Sequence, residues 1–488
     1  MTKKLILLIG AALLTVALVL YIFFARGRAD HPVVPDDAPA VAVIHPQELL
    51  SSLQTTEEDL LHLFQIKESR GAGLNLQRPV YAFLSKDDKI GLSATLSDKQ
   101  DLESFLSGYD IALTSENGYQ WAQYKNMLLT FDARRVLAAG PVSKDEVATL
   151  RRQMCQWMES SSRKNPLLTQ AEEEQGIVGI STYAHAALLH CLGLSVGSLP
   201  FALDDEDLQL TGALSAHDNT AQLALSLKAH NPALQEILEA LGQVALPIAT
   251  ETTALAPDEP FLSARLNLNG EHLLNLLRRH PALRTALVAL NLAIDADKMI
   301  RSISGDVQIV LPTYITAPSD WLLTAALTDT RFLDDAPSWQ HGIMSSLFNF
   351  RALSDTDFTL TTDNKTYHLG VRNKRLYLTP SPLLAAIACL ETSSPAQPIP
   401  ADTRLFATAD IHSLLAHLRP ETSSRPIPNT ARLTLMLSEG TSTPIMQNAK
   451  RKMQKNDGPA TEGHQLQLQL IFQTDRPIAQ WLQHLIQP

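Results

Sequence analysis

Short apolar stretches recur along the chain, and each is followed at a fixed distance by two adjacent leucines. Every stretch ends in a position suited to capping a helix, and the leucines follow four and five residues later. A stretch of this length predicts a strand, and the leucine pair predicts the apolar face of the helix after it. The leucine pairs are Leu49 and Leu50, Leu188 and Leu189, Leu273 and Leu274, and Leu414 and Leu415. Such self-similarity indicates an architecture assembled from similar units.

Other elements recur between the two halves of the chain in the same order. Three kinds of element each occur twice. The first is a strand followed by Ser-Asp or Thr-Asp at the start of a helix, the second is a hairpin that begins with tyrosine, and the third is a strand that precedes the last helix of its half. These elements lie at residues 94–102 and 325–333, at 119–130 and 367–378, and at 223–227 and 466–472. Because turn residues recur together with the hydrophobic positions, we interpret the pattern as a tandem repeat. The alternative is a coincidence of leucine-rich composition.

The repeat predicts an α+β protein in which an N-terminal transmembrane helix precedes two tandem, similar halves. The halves are predicted at residues 35–246 and 257–488, with a linker at 247–256. Each half is expected to contain two modules, the second beginning near Gly176 and Ala401, with helices covering one side of an antiparallel sheet. Strands that alternate apolar and polar residues favour such sheets, because one face is buried and the other is polar.

Several residues at the starts of predicted helices suit their positions. Pro46 is predicted at the first position of its helix, where the missing N–H would have no helical partner. Asn269 and Asp410 are predicted N-caps, because their side-chain oxygens can accept hydrogen bonds from the first turn. Ala184 has no such oxygen, so the copy at residues 180–189 is the weakest of the four.

An uninterrupted apolar run occupies residues 5–24. Twenty helical residues at about 1.5 Å each span a hydrocarbon core of about 30 Å. We therefore predict a cytoplasmic tail at residues 1–4, a transmembrane anchor at 5–24 and a linker at 25–34. The alternative is a signal peptide cleaved after Ala29, although the apolar run is longer than is usual for such peptides.

Charge alone does not orient this anchor. Lys3 and Lys4 precede the run, and Arg26 and Arg28 follow it, so the positive-inside rule gives little bias. The tail is short and nearly the whole chain follows the run. We therefore expect a single-pass protein of the bacterial cell membrane, with its body exported to the periplasm or cell envelope. The membrane is thus one expected partner, through residues 5–24.

The composition narrows the classes of function. The chain has 488 residues, of which 45% are hydrophobic, so it can bury large cores. Its formal net charge of −11 argues against nucleic acid as a partner, because phosphate binding needs a basic surface. The three cysteines, Cys155, Cys191 and Cys389, form no C-x-x-C metal motif, and their odd number leaves at least one without an intramolecular partner.

The N-terminal part of the chain resembles an exported bacterial family catalogued as domain of unknown function 4836. The resemblance rests on the anchor, on the opening Pro-Asp-Asp-Ala-Pro-Ala-Val at residues 35–41, and on the strand followed by paired leucines. It implies a location in the cell envelope and supplies no catalytic residues. Lipid-anchored members would carry a cysteine at the anchor, which this chain lacks, so the resemblance does not settle the type of anchor.

No signature of catalysis, cofactor binding or metal binding is present, and we predict no residues for these roles. Two histidine pairs are each five residues apart, which points their side chains to different sides of a helix. These pairs are His185 with His190 and His412 with His417. Ser161 and Lys164 have the spacing of an S-x-x-K site, but its partner motifs are missing, so we interpret them as part of a loop.

Clustered charges are interpreted as turns and loops. Asp87 and Asp88 are expected in a hairpin turn, where aspartate can bond to nearby backbone. The acidic run at residues 204–207 offers oxygen ligands for calcium, but it lacks the spacing of a calcium loop and is also expected in a turn. A basic patch at residues 448–455 is expected to be a solvated loop, with contact to lipid head groups or an acidic partner as the alternative.

These patterns favour a membrane-anchored extracytoplasmic scaffold or binding protein without catalytic activity, whose partner is an envelope protein. The alternative is a carrier of an apolar or lipid-like ligand in a groove between sheet and helices, since such sites leave no polar motif in a sequence. An enzyme whose site is assembled from distant residues is a third hypothesis, and no motif supports it.

Overall fold

A computed structural model describes most of the chain between residues 33 and 478. The described residues are 33–52, 73–160, 165–183, 204, 206–248, 260–279, 281–291, 295–312, 320–339, 349–362, 365–388, 399–400, 402–411, 413, 431–439, 465–475 and 477–478. They fall into two compact units. The first unit lies within Met1–His230 and Thr474–Pro488, and the second lies within Asn231–Gln473.

The first unit is built on an antiparallel sheet of ten strands. In sheet order the strands are β4, β5, β6, β7, β3, β2, β1, β8, β9 and β10. Their bounds are β1 Ala40–Ile44, β2 Val80–Leu84, β3 Ile90–Thr95, β4 Leu113–Glu116, β5 Tyr119–Tyr124, β6 Met127–Phe131, β7 Arg135–Gly140, β8 Val178–Tyr183, β9 Leu208–His217 and β10 Thr220–Ala229. The predicted α+β class with antiparallel pairing is therefore present.

Helices pack on both faces of this sheet. They are α1 Pro46–Ser52, α2 Lys99–Gly108, α3 Val147–Glu159 and α4 Pro166–Glu173. On one face, Leu102 of α2 joins an apolar cluster with Val136 and Phe131. On the other face, α3 and α4 join a cluster that contains Leu137 and Trp121. The expectation that helices cover one side is wrong, because the central strands are apolar on both faces.

The strands of the second unit also pair in an antiparallel arrangement. In sheet order its strands are β15, β16, β17, β18, β14, β13, β12, β19, β20 and β21, and the short strand β11 also pairs with β12. Their bounds are β11 Ala245–Leu246, β12 Pro260–Asn269, β13 Ile303–Pro312, β14 Leu322–Leu327, β15 Asn349–Ala352, β16 Asp357–Thr362, β17 Lys365–Arg372, β18 Arg375–Thr379, β19 Thr403–Asp410, β20 Arg432–Glu439 and β21 Gln465–Gln473.

The two sheets have the same strand order. β12 takes the place of β1, β13 to β18 take the places of β2 to β7, and β19 to β21 take the places of β8 to β10. Strands within one sheet can be ordered in very many ways, so agreement over ten strands is a strong structural likeness. It also matches the order in which the sequence elements recur.

Short helices complete the second unit. They are α5 Pro232–Val244, α6 Gly270–Arg279, α7 Pro281–Asn291, α8 Ala296–Ser302, a 3₁₀ helix at Arg331–Asp335, α9 Ala336–Trp339 and α10 Pro382–Ile387. Phe332 of the 3₁₀ helix and Trp339 pack on one face of the sheet, with Leu376 of β18. Leu384 of α10 packs against Tyr377 on the other face, so helices lie on both faces here as well.

The central strands of the second unit carry buried polar side chains. Arg265, Gln308 and Thr324 are neighbours across β12, β13 and β14, and each is at most 5% exposed. The Arg265 guanidinium pairs with the Asp306 carboxylate at 3.4 Å. A buried charge needs such a partner, because transferring it from water is otherwise very costly.

The predicted turns and caps are confirmed. The hairpin between β17 and β18 turns at Asn373 and Lys374, which have positive φ values of 50° and 56°. Asn269 accepts a hydrogen bond from the backbone N–H of His272 at 3.2 Å. Asp410 accepts one from Ser413 at 2.7 Å. Local side-chain chemistry therefore sets the start of these helices, as in other proteins.

No helix among the described residues is long and apolar enough to cross a membrane. The predicted tail, the anchor at residues 5–24 and nearly all of the predicted linker at 25–34 lie outside the described residues.

Candidate functional site

A cavity with a volume of about 730 Å³ lies in the first unit. It opens between α4 and the adjacent strands β8 and β9. Its lining residues are Pro166, Gln170, Tyr183, Asp204, Glu206, Asp207, Gln209 and His230. Most of these side chains are polar, so the cavity offers several hydrogen-bonding groups to a ligand.

The position of α4 above β8 is set by the residue that caps the helix and by a glycine in the strand beneath it. Asn165 caps the helix by accepting from the N–H of Leu167 at 2.9 Å, and its side-chain amide donates to the carbonyl of Pro35 at 2.8 Å. Gly179 of β8 lies directly beneath the helix, and a Cβ at this position would collide with the carbonyl oxygen of Ala171. The close approach brings Gln170 of α4 over the sheet.

Gln209 organises the inner wall of the cavity. Its side chain is 5% exposed, and its amide nitrogen donates to the Gln170 carbonyl oxygen. The hydroxyl of the fully buried Ser181 donates to the same Gln170 oxygen at 3.0 Å. On its other side, Gln209 Oε1 lies 3.1 Å from Nε2 of His230. A connected network of this kind holds each side chain in one orientation.

An acidic turn forms the rim of the cavity. The N–H of Asp204 donates to the Asp207 carboxylate at 2.8 Å, and the N–H of Asp207 donates to the carbonyl of Asp204 at 3.0 Å. The Asp207 carbonyl then accepts from the N–H of His230 at 2.8 Å. Asp204, Glu206 and Asp207 therefore lie in a turn, as the sequence indicates, and this turn leads directly into β9.

The rim carboxylates affect the one aromatic side chain of the lining. Burial raises the pKa of Tyr183, and the nearby charge of Glu206 raises it further. The Tyr183 hydroxyl is therefore protonated at neutral pH and remains available as a donor. Across the described part of the chain, no lysine or arginine forms an ion pair with Asp204 or Glu206.

A second, smaller cavity of about 270 Å³ lies in the second unit between α5 and α6. Its lining includes His272 and Arg279 of α6 and Gln243 of α5. Arg279 is already engaged with Glu236 at 3.0 Å. This cavity is the weaker candidate, because it is smaller and its arginine already forms an ion pair.

The charged clusters singled out from the sequence do not form metal sites in the described residues, where no group of three or more His, Cys, Asp or Glu side chains could hold an ion. Asp87 and Asp88 lie in the turn between β2 and β3, as predicted, and Asp88 has a positive φ of 57°. The remaining candidates lie outside the described residues, namely His185, His190, His412, His417, Ser161, Lys164 and the patch at 448–455.

Cys155 of α3 is a free, half-buried thiol that packs against the apolar cluster of its unit. Burial raises its pKa, and the charges of Glu159 and Glu116 raise it further. A thiol in this environment is a weak nucleophile, because the reactive form is the thiolate. Cys191 and Cys389 lie outside the described residues.

The cavity could not be found from sequence motifs. Gln170, Tyr183, Gln209 and His230 come from four separate elements, and no fixed spacing connects them. The acidic run at residues 204–207 was the only visible signal, and on its own it is typical of an ordinary turn.

Comparisons with known proteins place the chain in a family without assigning an activity. No curated protein matches the sequence significantly. Among solved structures, the chain is similar to the Treponema protein TP0453, described in crystal forms I, III and IV. The form IV structure is 15% identical, with a TM-score of 0.28, over 46% of this chain and 89% of that chain. The form III structure is 13% identical, with a TM-score of 0.28, over 45% and 89%.

The sequence also matches a family model over most of its length. The model is described as "Domain of unknown function (DUF4836)" and matches residues 43–392. This range extends far beyond the N-terminal motifs that carry the sequence resemblance, and it includes the candidate cavity. The chain therefore belongs to the DUF4836 family.

Proposed function

We propose that this protein is a membrane-anchored, extracytoplasmic binding protein without catalytic activity. The observation that carries this proposal is the cavity of about 730 Å³ in the first unit, whose polar side chains converge from several elements. Binding sites for small molecules typically have volumes of about 300–1,000 Å³ and a few precisely placed polar groups. The cavity therefore has the size of a ligand site, and its polar lining suits a polar ligand.

The lining supports binding rather than catalysis. Its described residues include no serine, threonine, cysteine or lysine. Its histidine is paired with the neutral amide of Gln209, rather than with a carboxylate that would orient it as a base. These features favour holding a ligand over transforming one.

We also propose that the body arose by tandem duplication, with similar halves near residues 35–246 and 257–488. The shared strand order of the two sheets supports this interpretation. The first unit supplies the cavity on β8 and β9, whereas the second unit carries the buried pair of Arg265 and Asp306 on β12 and β13. The halves thus share a scaffold while their polar side chains differ.

The alternative function is transport of an apolar or lipid-like ligand. The position of the cavity, between a helix and the sheet, agrees with it. The lining does not, because an apolar ligand would remove the carboxylates of Asp204 and Glu206 from water without offering hydrogen bonds in return. The observed chemistry therefore favours a polar ligand.

Membrane fractionation tests the location, and protease digestion of intact cells and spheroplasts tests the orientation. We expect the chain in the membrane fraction, with its body cleaved only after the outer barrier is opened. A body that stays protected in spheroplasts would contradict the proposal. N-terminal sequencing that begins at Asp30 would show that the segment before it is a cleaved signal peptide rather than an anchor.

A further inference from the structure

We propose that the cavity of the first unit binds a neutral, polyhydroxylated ligand of the saccharide class. This inference rests on the proposed binding function and adds the chemistry of the ligand. It uses the charge balance of the lining, the hydrogen-bonding capacity of its polar groups and the presence of one aromatic ring.

The charge balance argues against anionic ligands. Asp204, Glu206 and Asp207 line the cavity, and its described lining includes neither lysine nor arginine. A phosphate or carboxylate would be repelled by these side chains and would find no bidentate partner. Acidic lipids and nucleotides are therefore poor candidates.

The hydrogen-bonding groups favour hydroxyls over cations. A carboxylate such as Glu206 only accepts hydrogen bonds, whereas the side-chain amide of Gln170 carries N–H donors and the Tyr183 hydroxyl can donate as well. An ammonium group could use the acceptors but not the donors. A sugar hydroxyl both donates and accepts, so a ring with several hydroxyls can satisfy the rim and the inner wall together.

Tyr183 supplies the apolar contact that a sugar requires. It is half-buried at the end of β8, and it lines the cavity beside Glu206. An aromatic ring presents a flat apolar surface with a polar tip, which suits the C–H face and the hydroxyl edge of a pyranose. Gln209 is held by its neighbours, so the wall opposite the ligand is already ordered before binding.

The test is binding of the labelled full-length chain, in detergent, to an array of neutral, anionic and amine-bearing oligosaccharides. We expect retention by a subset of neutral oligosaccharides. Glu206→Gln should weaken that binding by about tenfold or more, because a charge-assisted hydrogen bond is roughly twice as strong as a neutral one. Tyr183→Leu should weaken it as well.

Glu173→Gln is the matched control, because the substitution removes the same charge from a residue that is exposed on α4 and is not part of the cavity lining. It should bind like the wild type. Retention of no oligosaccharide, retention of amine-bearing ones only, or equal binding by Glu206→Gln and the wild type would each overturn the inference.

Native mass spectrometry separates this failure from failure of the proposed function. A non-saccharide ligand on the wild type that is lost in Glu206→Gln would overturn the saccharide assignment and leave the binding function intact. A chain that binds no oligosaccharide and carries no small molecule in either form would contradict both.

Discussion

At the residue scale, the features that could be predicted from sequence are those that depend on near neighbours. Asn269 and Asp410 each bond to a backbone N–H three residues later, so the capping interaction is contained in a few consecutive positions. The contacts of Gln209 are different, because Gln170 and His230 lie 39 and 21 residues away in sequence. Only the fold brings these groups together, so the caps were predictable and the cavity was not.

The caps give a direct stability prediction. Replacing Asp410 with alanine should lower the free energy of unfolding by about 1 kcal/mol, the usual effect of losing a good N-cap. Asn269→Ala should have a similar effect. Urea denaturation of the full-length chain measures both. Asp410→Ser and Asn269→Ser retain a capping oxygen and should restore most of the loss, and unchanged midpoints for both alanine variants would show that the caps contribute nothing.

Asp357 should make the second unit sensitive to acid. Burial opposes ionisation of its carboxyl, but hydrogen bonds from Tyr377 and Ser354 and the charge of Arg372 outweigh this and lower its pKa. A lowered folded-state pKa means that the stabilisation is complete above the unfolded value of about 3.9 and is lost as pH falls through the folded value.

The measurement is thermal unfolding of the wild type and Asp357→Asn from pH 7 to pH 3. We expect the wild type to be the more stable protein at neutral pH and its advantage to shrink at the acidic end. An advantage that stays constant over this range would contradict the assignment. Asp355→Asn, a nearby exposed carboxylate, is the control.

At the element scale, the strands and hairpins followed from the hydrophobic pattern, whereas the packing side of each helix did not. The sequence pattern predicts that the first leucine of each pair is the buried, equivalent position, namely Leu49, Leu188, Leu273 and Leu414. Leu49 and Leu273 are only half-buried, and Leu274 is fully buried; Leu188 and Leu414 lie outside the described residues. Adjacent residues point about 100° apart on a helix, so the angle at which the helix leaves its strand decides which leucine faces the core.

The leucine pair of α6 therefore has an unequal energetic role. Leu274→Ala should destabilise the protein by about 2–5 kcal/mol, because it leaves a cavity in a buried site. Leu273→Ala should cost clearly less, since that side chain already contacts solvent. Denaturation of both variants measures this difference. An equal loss of unfolding free energy in the two variants would mean that the packing side of α6 is misassigned.

At the scale of the whole molecule, the order of recurring elements predicted a sheet order that the two units share. The composition of the compact units was less accessible from sequence. The first unit includes Thr474 and Ile478 from the end of the chain, far from its other residues in sequence. Local periodicity contains no information about such a long-range return, because it reports only which residues are buried.

The contacts that Thr474 and Ile478 make with the first unit should stabilise the hairpin of β9 and β10. The N–H of Thr474 donates to the Asn219 carbonyl at 2.9 Å, and the N–H of Ile478 donates to the Asp218 carbonyl at 2.9 Å. Truncation after Gln473 should therefore speed hydrogen exchange in residues 208–229. The hairpin of β5 and β6 in the same unit should be unaffected. Equal protection of residues 208–229 in both chains would show that the last segment does not hold the hairpin.

The central claim is that the first unit holds a polar small molecule without transforming it. Native mass spectrometry of the full-length chain, released from the membrane in detergent, tests this claim most directly. We predict one additional small-molecule mass on the wild type and, in the same proportion, on Glu173→Gln, and a clearly smaller proportion of it on Glu206→Gln. A bare chain in all three samples, or an equal proportion of the adduct on Glu206→Gln and the wild type, would contradict the account.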